Sequence, residues 1–297
     1  MNTLTPGLWG VLATPFRSPD FTLDTESLRA EVRLFARVPA TGLVALGVFG
    51  EGMALNTEEQ ADVVRSVVDE AADTPVVVGL SARTTAVAVE QARTAVDASG
   101  PSLAALMVQV NSGNPDVLVP HLTAIHEATG APIVIQDYPV ASGVHISGAQ
   151  LLAAVEQCPF TAAVKSEAPP TALAIAELTG STDVPVFGGL GGVGLLDELA
   201  AGAAGAMTGF SHPEGLRAAL DAWADGGYPA ARDAFAPWLP MANFEAQPGV
   251  GLALRKEVLR RRGVIAESIV RPPAKVLPQR LAALIDAHLS AIPVEVK

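Results

Sequence analysis

The feature that most constrains this chain is an alternation repeated eight times: a short β-branched run, then a longer segment of helical periodicity. The runs are Gly10–Thr14, Leu43–Leu46, Val76–Gly79, Ala104–Val110, Ile133–Gln136, Thr161–Lys165, Val186–Gly188 and Ala206–Thr208. The helical segments predicted after them are 24–38, one opened by Thr57-Glu-Glu-Gln60 with capping-box spacing, 84–98, 116–129, 147–157, 170–178, 195–201 and 213–224. Alternation of this kind reads as parallel βα units. Eight units close a (β/α)8 TIM barrel, whereas an open doubly wound sheet uses fewer strands and breaks into halves. From Tyr228 on, the pattern is helical only, with helices predicted over 230–241, 249–262 and 278–289 and a loop at Arg271-Pro-Pro-Ala-Lys275. The expected division is therefore a barrel over 1–227 and a helical extension over 228–297 packed on it.

Composition narrows the class. The chain has 297 residues, 49% of them hydrophobic, so disorder is not its general state. No apolar stretch is long enough to span a bilayer. Residues 1–10 lack the basic segment and apolar run of a signal peptide. One cysteine, Cys158, precludes an internal disulfide and fits a reducing cytoplasm. It sits before Pro159 at a helix end and is expected to be a buried small hydrophobe. A net charge of −12 disfavours nucleic acid as a partner. The five histidines form no zinc-ligand pattern, so no metal is expected, and His121 and His126 are predicted to lie solvated on one surface helix.

In a parallel barrel the chemistry lies at the C-terminal ends of the strands. Lys165 ends the sixth run. In the barrel mouth, desolvation would lower its pKa and make its amine a nucleophile for a ketone; the alternative is a lysine snorkelling at a strand end. Glu167, two residues on, shares its face by strand periodicity and is placed to act as acid or base. Gly47-Val-Phe-Gly-Glu51 follows the second run and suits a loop presenting N–H groups to a small anion. Gly189-Leu-Gly-Gly-Val-Gly194 matches a dinucleotide fingerprint. It follows the seventh run instead of the first, and Glu214 is no ribose-binding acid at a strand end, so no nicotinamide cofactor is expected.

With these residues in view, the chain resembles the class I Schiff-base lyases typified by dihydrodipicolinate synthase and N-acetylneuraminate lyase. The likeness runs from Gly10-Val-Leu-Ala-Thr-Pro-Phe16 through Gly50-Glu51 and Val164-Lys165 to Ala201–Thr208. It implies a barrel with C-terminal helices, no cofactor, Lys165 as the imine-forming residue, the Gly47–Glu51 loop as the seat of the substrate carboxylate, and a homotetramer or homodimer. The chain departs from that pattern at three places. Val48 and Phe49 stand where two hydroxyl residues are usual, and Gln136 stands where a proton-shuttling tyrosine is usual. Val110-Asn111-Ser112 replaces a tyrosine pair. An amide cannot relay a proton as a phenol does. Tyr138, two residues beyond Gln136, is the nearest phenol.

The 2-keto-3-deoxy-L-arabonate dehydratase branch resembles the chain at two of those places, Gln136 and Phe49, although Val48 and Gly50 beside Phe49 differ from it. The shared stretches are Gln136-Asp-x-Pro with Ala141–Gly143, Lys165-x-Glu167, Ala206-Met-Thr-Gly209, the Trp238–Glu245 stretch, Gly263–Ala266 and Phe49. The resemblance implies Lys165, Glu167 and Gln136 as catalytic residues and Val48, Phe49, Gly50, Tyr138, Gly189 and Met207 as substrate-binding ones. It implies a dehydratase of a 2-keto-3-deoxy sugar acid. A pyruvate-releasing aldolase and a catalytically silent 2-keto-acid-binding barrel are the competing readings.

Overall fold

The computed structural model describes residues 3–292. Eight parallel strands carry the fold: β1 (Gly7–Val11), β2 (Gly42–Ala45), β3 (Val76–Leu80), β4 (Leu103–Gln109), β5 (Ile133–Asp137), β6 (Thr161–Ser166), β7 (Val186–Phe187) and β8 (Gly205–Thr208). They pair in chain order, with β8 returning to β1. The seam between β7 and β8 is closed by Ala204 N–H to Val186 O at 2.7 Å and Met207 N–H to Gly188 O at 2.9 Å. The result is a (β/α)8 barrel.

Its interior is packed by side chains from every strand, among them Trp9, Val44, Val77, Met107, Val134, Ala163, Phe187 and Met207. Glycine admits the largest of these. A Cβ on Gly42 would overlap the Trp9 ring, 2.7 Å from Cη2 and nearer still to Cζ3 and Cε3, so only a residue without one fits there.

Around the barrel lie α1 (Thr25–Arg37), α2 (Thr57–Ala71), α3 (Thr85–Ser99), α4 (Pro115–Thr129), α5 (Gly148–Gln157), α6 (Thr171–Thr179), α7 (Leu195–Ala200) and α8 (Pro213–Phe235). The apolar faces of α1 to α6 meet the outward side chains of the strands in one layer, and α7 and α8 pack on the β8–β1 side in a second. The extension adds α9 (Leu239–Glu245), α10 (Gly251–Arg261), α11 (Gln279–Ala282) and α12 (Ile285–Ser290), which pack on α7, α8 and the β8–β1 side. Residues 293–297 of the expected extension lie outside the described residues.

Several boundaries differ from the sequence expectation. The first strand is Gly7–Val11 and not Gly10–Thr14, because Ala13 N–H donates to the Glu31 carboxylate and Thr14 Oγ1–H to Gly50 O. The capping box of α2 is Asn56 with Glu59, one residue before the expected opening. Helix α8 runs on past residue 224 to Phe235, bending at Gly227 (φ 64°) beside the expected start of the extension. The segment 278–289 forms two short helices instead of one.

His121 is not solvated, and His126 is half-buried. His121 is buried between α3 and α4, its Nδ1 3.0 Å from Thr85 Oγ1, and burial pushes its pKa down. His126 stacks on Phe160 with ring centroids 4.2 Å apart. The helix turns both rings towards neighbours that the 3.6-residue pattern does not name. Cys158 is free and buried, and burial raises its thiol to about 11. Among the described residues, no helix is long and apolar enough to cross a membrane.

Candidate active site

Strand register sets the floor of the site. Gln136 on β5 pairs with Lys165 on β6, and the next pair is Asp137 with Ser166. Alternation sends the first pair into the barrel mouth and the second towards the helix layer. The ladder continues one residue past β6, where Glu167 N–H donates to Asp137 O at 2.8 Å. That places Glu167 on the same side as Lys165. Their side chains meet at 3.2 Å (Nζ to Oε2) and both are nearly buried, 6% and 5% exposed.

Glu167 is fixed by more than the lysine. Gln136 Nε2 donates to Oε2 at 2.7 Å, and Leu190 N–H donates to Oε1 at 3.1 Å. Gly189 makes room for this carboxyl, since a Cβ there would lie 2.6 Å from Glu167 Cδ. Of the residues expected to bind substrate, Gly189 is thus seen to shape the space around Glu167. Met207 is fully buried in the barrel interior beneath the mouth.

The loop after β2 forms the opposite wall. Leu46 (φ 57°) and Glu51 (φ 54°) take left-handed backbone conformations on either side of it, and Leu190 (φ 49°) does the same after β7. Non-glycine residues held this way concentrate at functional sites. Among the described residues, the amides of Val48, Phe49 and Gly50 donate no hydrogen bond; Glu51 N–H turns back to Val48 O at 3.2 Å. Three consecutive free N–H groups in one loop are donors that an anion can engage. Gly50 sits so close to β1 that a Cβ would be 3.1 Å from Leu12 O. Val48 is exposed and Phe49 half-buried. The Phe49 ring lies against Gly209, where a Cβ would be 2.8 Å from its Cε1.

Tyr138 caps a short turn after β5 at the rim. Burial and the negative charge of Glu167 push its phenol pKa up, so the phenol keeps its proton at neutral pH. Asp137 faces the other way. Burial, with the charge of Glu167, raises its carboxyl to about 6. It lines a cavity of about 210 Å³ with Ser166, Glu177 and residues of α5 and α6. That cavity lies behind the strands and contains neither Lys165 nor Glu167.

The extension contributes residues that sequence reasoning missed. Lys256 on α10 is fully buried and forms an ion pair with Glu51 at the end of the anion loop; its Nζ also donates to Ile269 O at 3.0 Å. Arg255, the residue before it, places its guanidinium carbon 5.2 Å from the centre of the Phe49 ring. Only a run of charge, Arg255-Lys-Glu257, marked these positions in the sequence, and such a run ordinarily reads as a solvated helix face. Glu245 lay inside a stretch noted for resemblance, but with no role. It is fully buried, accepts from Ser211 N–H at 3.2 Å and from Ser211 Oγ–H, and lies 3.5 Å from Arg255 Nε.

The Gly189–Gly194 turn binds within the protein. Gly191 N–H donates to Thr208 Oγ1 at 2.8 Å, and Glu214 forms an ion pair with Arg262 at 2.6 Å. Among the described residues, no group of three or more His, Cys, Asp or Glu is placed to hold a metal ion.

Comparison with known proteins agrees with this architecture. Over 288 residues, 94% of this chain and 92% of the relative, the chain is 30% identical to an L-2-keto-3-deoxyarabonate dehydratase of Azospirillum brasilense. It is 33% identical to a 4-hydroxy-tetrahydrodipicolinate synthase of Chlorobium phaeovibrioides over 155 residues, 52% of each chain. Among solved structures, a dihydrodipicolinate synthase from Rhodopseudomonas palustris superposes with a TM-score of 0.89 at 28% identity, covering 98% of this chain and 100% of that one. YagE of E. coli K12, solved with pyruvate, has the same fold at a TM-score of 0.86 and 19% identity, covering 97% and 98%. The model of the dihydrodipicolinate synthetase family matches residues 5–291, and the chain belongs to that family of lyases.

Proposed function

We propose that the chain is a Schiff-base-forming dehydratase of a 2-keto-3-deoxy sugar acid of the arabonate type. One observation carries the reading: Glu167 touches Lys165 and is held there by Gln136, an amide that has no proton to relay. The site therefore has one carboxyl beside the amine and no phenol at the strand position next to it. The dehydratase relative, 30% identical over 94% of the chain, supports the same choice.

The neutral Lys165 amine adds to the C2 ketone and water leaves, giving an iminium that acts as an electron sink. The free amides of Val48, Phe49 and Gly50 receive the C1 carboxylate. Glu167 takes a C3 proton and the C3–H electron pair moves into the enamine. The C4–OH bond then breaks as Glu167 returns the proton to the departing oxygen, so one carboxyl serves as base and then acid. Hydrolysis of the imine frees Lys165. For a five-carbon substrate, tautomerisation of the released enone gives 2-ketoglutarate semialdehyde, the starting acid less one water. Retro-aldol cleavage needs a base at the C4 hydroxyl; Gln136 can only orient that group, so Glu167 would have to serve there instead of at C3.

Mass analysis after incubation with 2-keto-3-deoxypentonates and hexonates tests the reading. A product lighter by one water and no pyruvate is expected. Pyruvate with a short aldehyde would overturn the dehydratase assignment and leave the Schiff base standing. Absence of a borohydride-trapped adduct at Lys165 with any 2-keto acid would overturn both and favour a binding-only barrel.

A further inference from the structure

The C-terminal helix α10 brings to the mouth a cation that the proton transfers above do not use. Arg255 is 13% exposed, stands over the Phe49 ring and presses on the Gly189–Gly192 turn, where a Cβ on Gly191 would be 3.2 Å from its Cζ. Its position is thus fixed by three elements: the anion loop after β2, the turn after β7, and its own helix. Yet its donors are unspent. Nε is buried without a hydrogen-bond partner, and Glu245, 3.5 Å away, is already engaged by Ser211. Among the described residues the guanidinium donates no hydrogen bond. Gly191, which it touches, and Gly189, which touches Glu167, belong to one turn, so the guanidinium lies on the rim beside that carboxyl.

Only Nε, on the Glu245 side, is buried without a partner; the two terminal nitrogens reach solvent and keep their donors for a ligand. We infer that Arg255 is a specificity-determining residue, its planar fork donating to the hydroxyl oxygens that the substrate carries beyond C3. This rests on the Schiff-base reading, which fixes C2 at Lys165 and C1 at the 48–50 amides and leaves the turn after β7 for the tail. A neutral, hydroxylated tail fits better than a second carboxylate. Glu245 already balances the charge of Arg255, and Glu167 stands nearby, so an acidic tail would gather three carboxylates about one cation. The planar fork, unlike a lysine ammonium, contacts two neighbouring oxygens at once.

The test uses Arg255→Gln and Arg255→Lys, with circular dichroism and thermal melting as folding controls. Each variant is assayed with a 2-keto-3-deoxypentonate and trapped by borohydride with pyruvate, which has C1 to C3 and no tail. The expected result for Arg255→Gln is a KM raised roughly 10- to 100-fold for the pentonate, the range of hydrogen bonds to a charged group, with kcat changed much less. Arg255→Lys should recover part of the loss, and the concentration of pyruvate needed for trapping should match that of the unaltered protein. Equal weakening towards pyruvate would place the guanidinium on the C1 carboxylate or in the scaffold and overturn the assignment. An unchanged KM would overturn it too. An analogue with a terminal carboxylate that binds the unaltered protein as tightly as the pentonate would refute the hydroxyl preference. The KM comparison reads equally on dehydration or on pyruvate release, so it stands apart from the dehydratase assignment. If the unaltered protein forms no adduct with any 2-keto acid, the Schiff-base reading fails and the tail assignment falls with it.

Discussion

Gly189→Ala isolates the position of Glu167 from everything else in the site. The added Cβ would lie 2.6 Å from Glu167 Cδ and 2.7 Å from Cγ, whereas ordinary carbon contacts are about 3.5 Å. The carboxyl must therefore retreat by about 1 Å, and its bonds to Lys165, Gln136 and the Leu190 amide cannot all follow. A displacement of that size at a reacting group costs about 100-fold in rate, or about 2.7 kcal/mol of barrier. Imine formation depends on Lys165 and should survive. The assay pairs the dehydration rate on a 2-keto-3-deoxypentonate with borohydride trapping of pyruvate. A dehydration rate within threefold of the unaltered protein would refute the claim that Glu167 must sit where it does. Loss of both readouts in a folded protein would show that Glu167 also governs imine formation.

Other outcomes follow from single contacts. Glu167→Gln keeps the hydrogen-bonding shape and removes the transferable proton, so dehydration should fall by roughly 10²- to 10⁴-fold while trapping at Lys165 persists. Lys165→Arg should abolish both turnover and trapping, because a guanidinium stays protonated; mass analysis of the trapped protein checks it. Lys256→Met strands Glu51 as an uncompensated buried charge and should cost roughly 3 to 5 kcal/mol in denaturant unfolding. Glu31 is fully buried, and burial pushes its carboxyl up to about 8 from an ordinary 4.5. The folded chain thus holds this proton more tightly than the unfolded one, and the contribution is present below about pH 4.5 and lost as pH rises through 8. Thermal melts should show Glu31→Gln gaining on the unaltered protein between pH 5 and 8.

The barrel was legible because β-branched runs and helical periods alternate, and both patterns follow from burial on one face of each element. Lys165 and Glu167 were legible for a related reason: strand ends and period two are local properties. Their partners were less so. Gln136 could be read as a substitution for an expected tyrosine, but its bond to Glu167 depends on the register between β5 and β6. No local pattern encodes that register. Leu190 contributes only a backbone amide. Arg255 and Lys256 look like a charged helix surface until α10 is seen to lie across the mouth, and the burial of His121 likewise depends on how α3 packs against α4. Long-range packing supplied what periodicity could not.

The ion pair between Lys256 and Glu51 has a consequence for exchanging parts between relatives. It couples the Gly47–Glu51 loop to the same helix that bears Arg255, so part of the wall of the mouth is contributed by the last fifth of the chain. A chimera that takes its barrel from one relative and its terminal helices from another would inherit imine chemistry from the first parent and selectivity from the second. Such a graft must carry the lysine that answers Glu51, or the loop loses its anchor before any question of substrate arises.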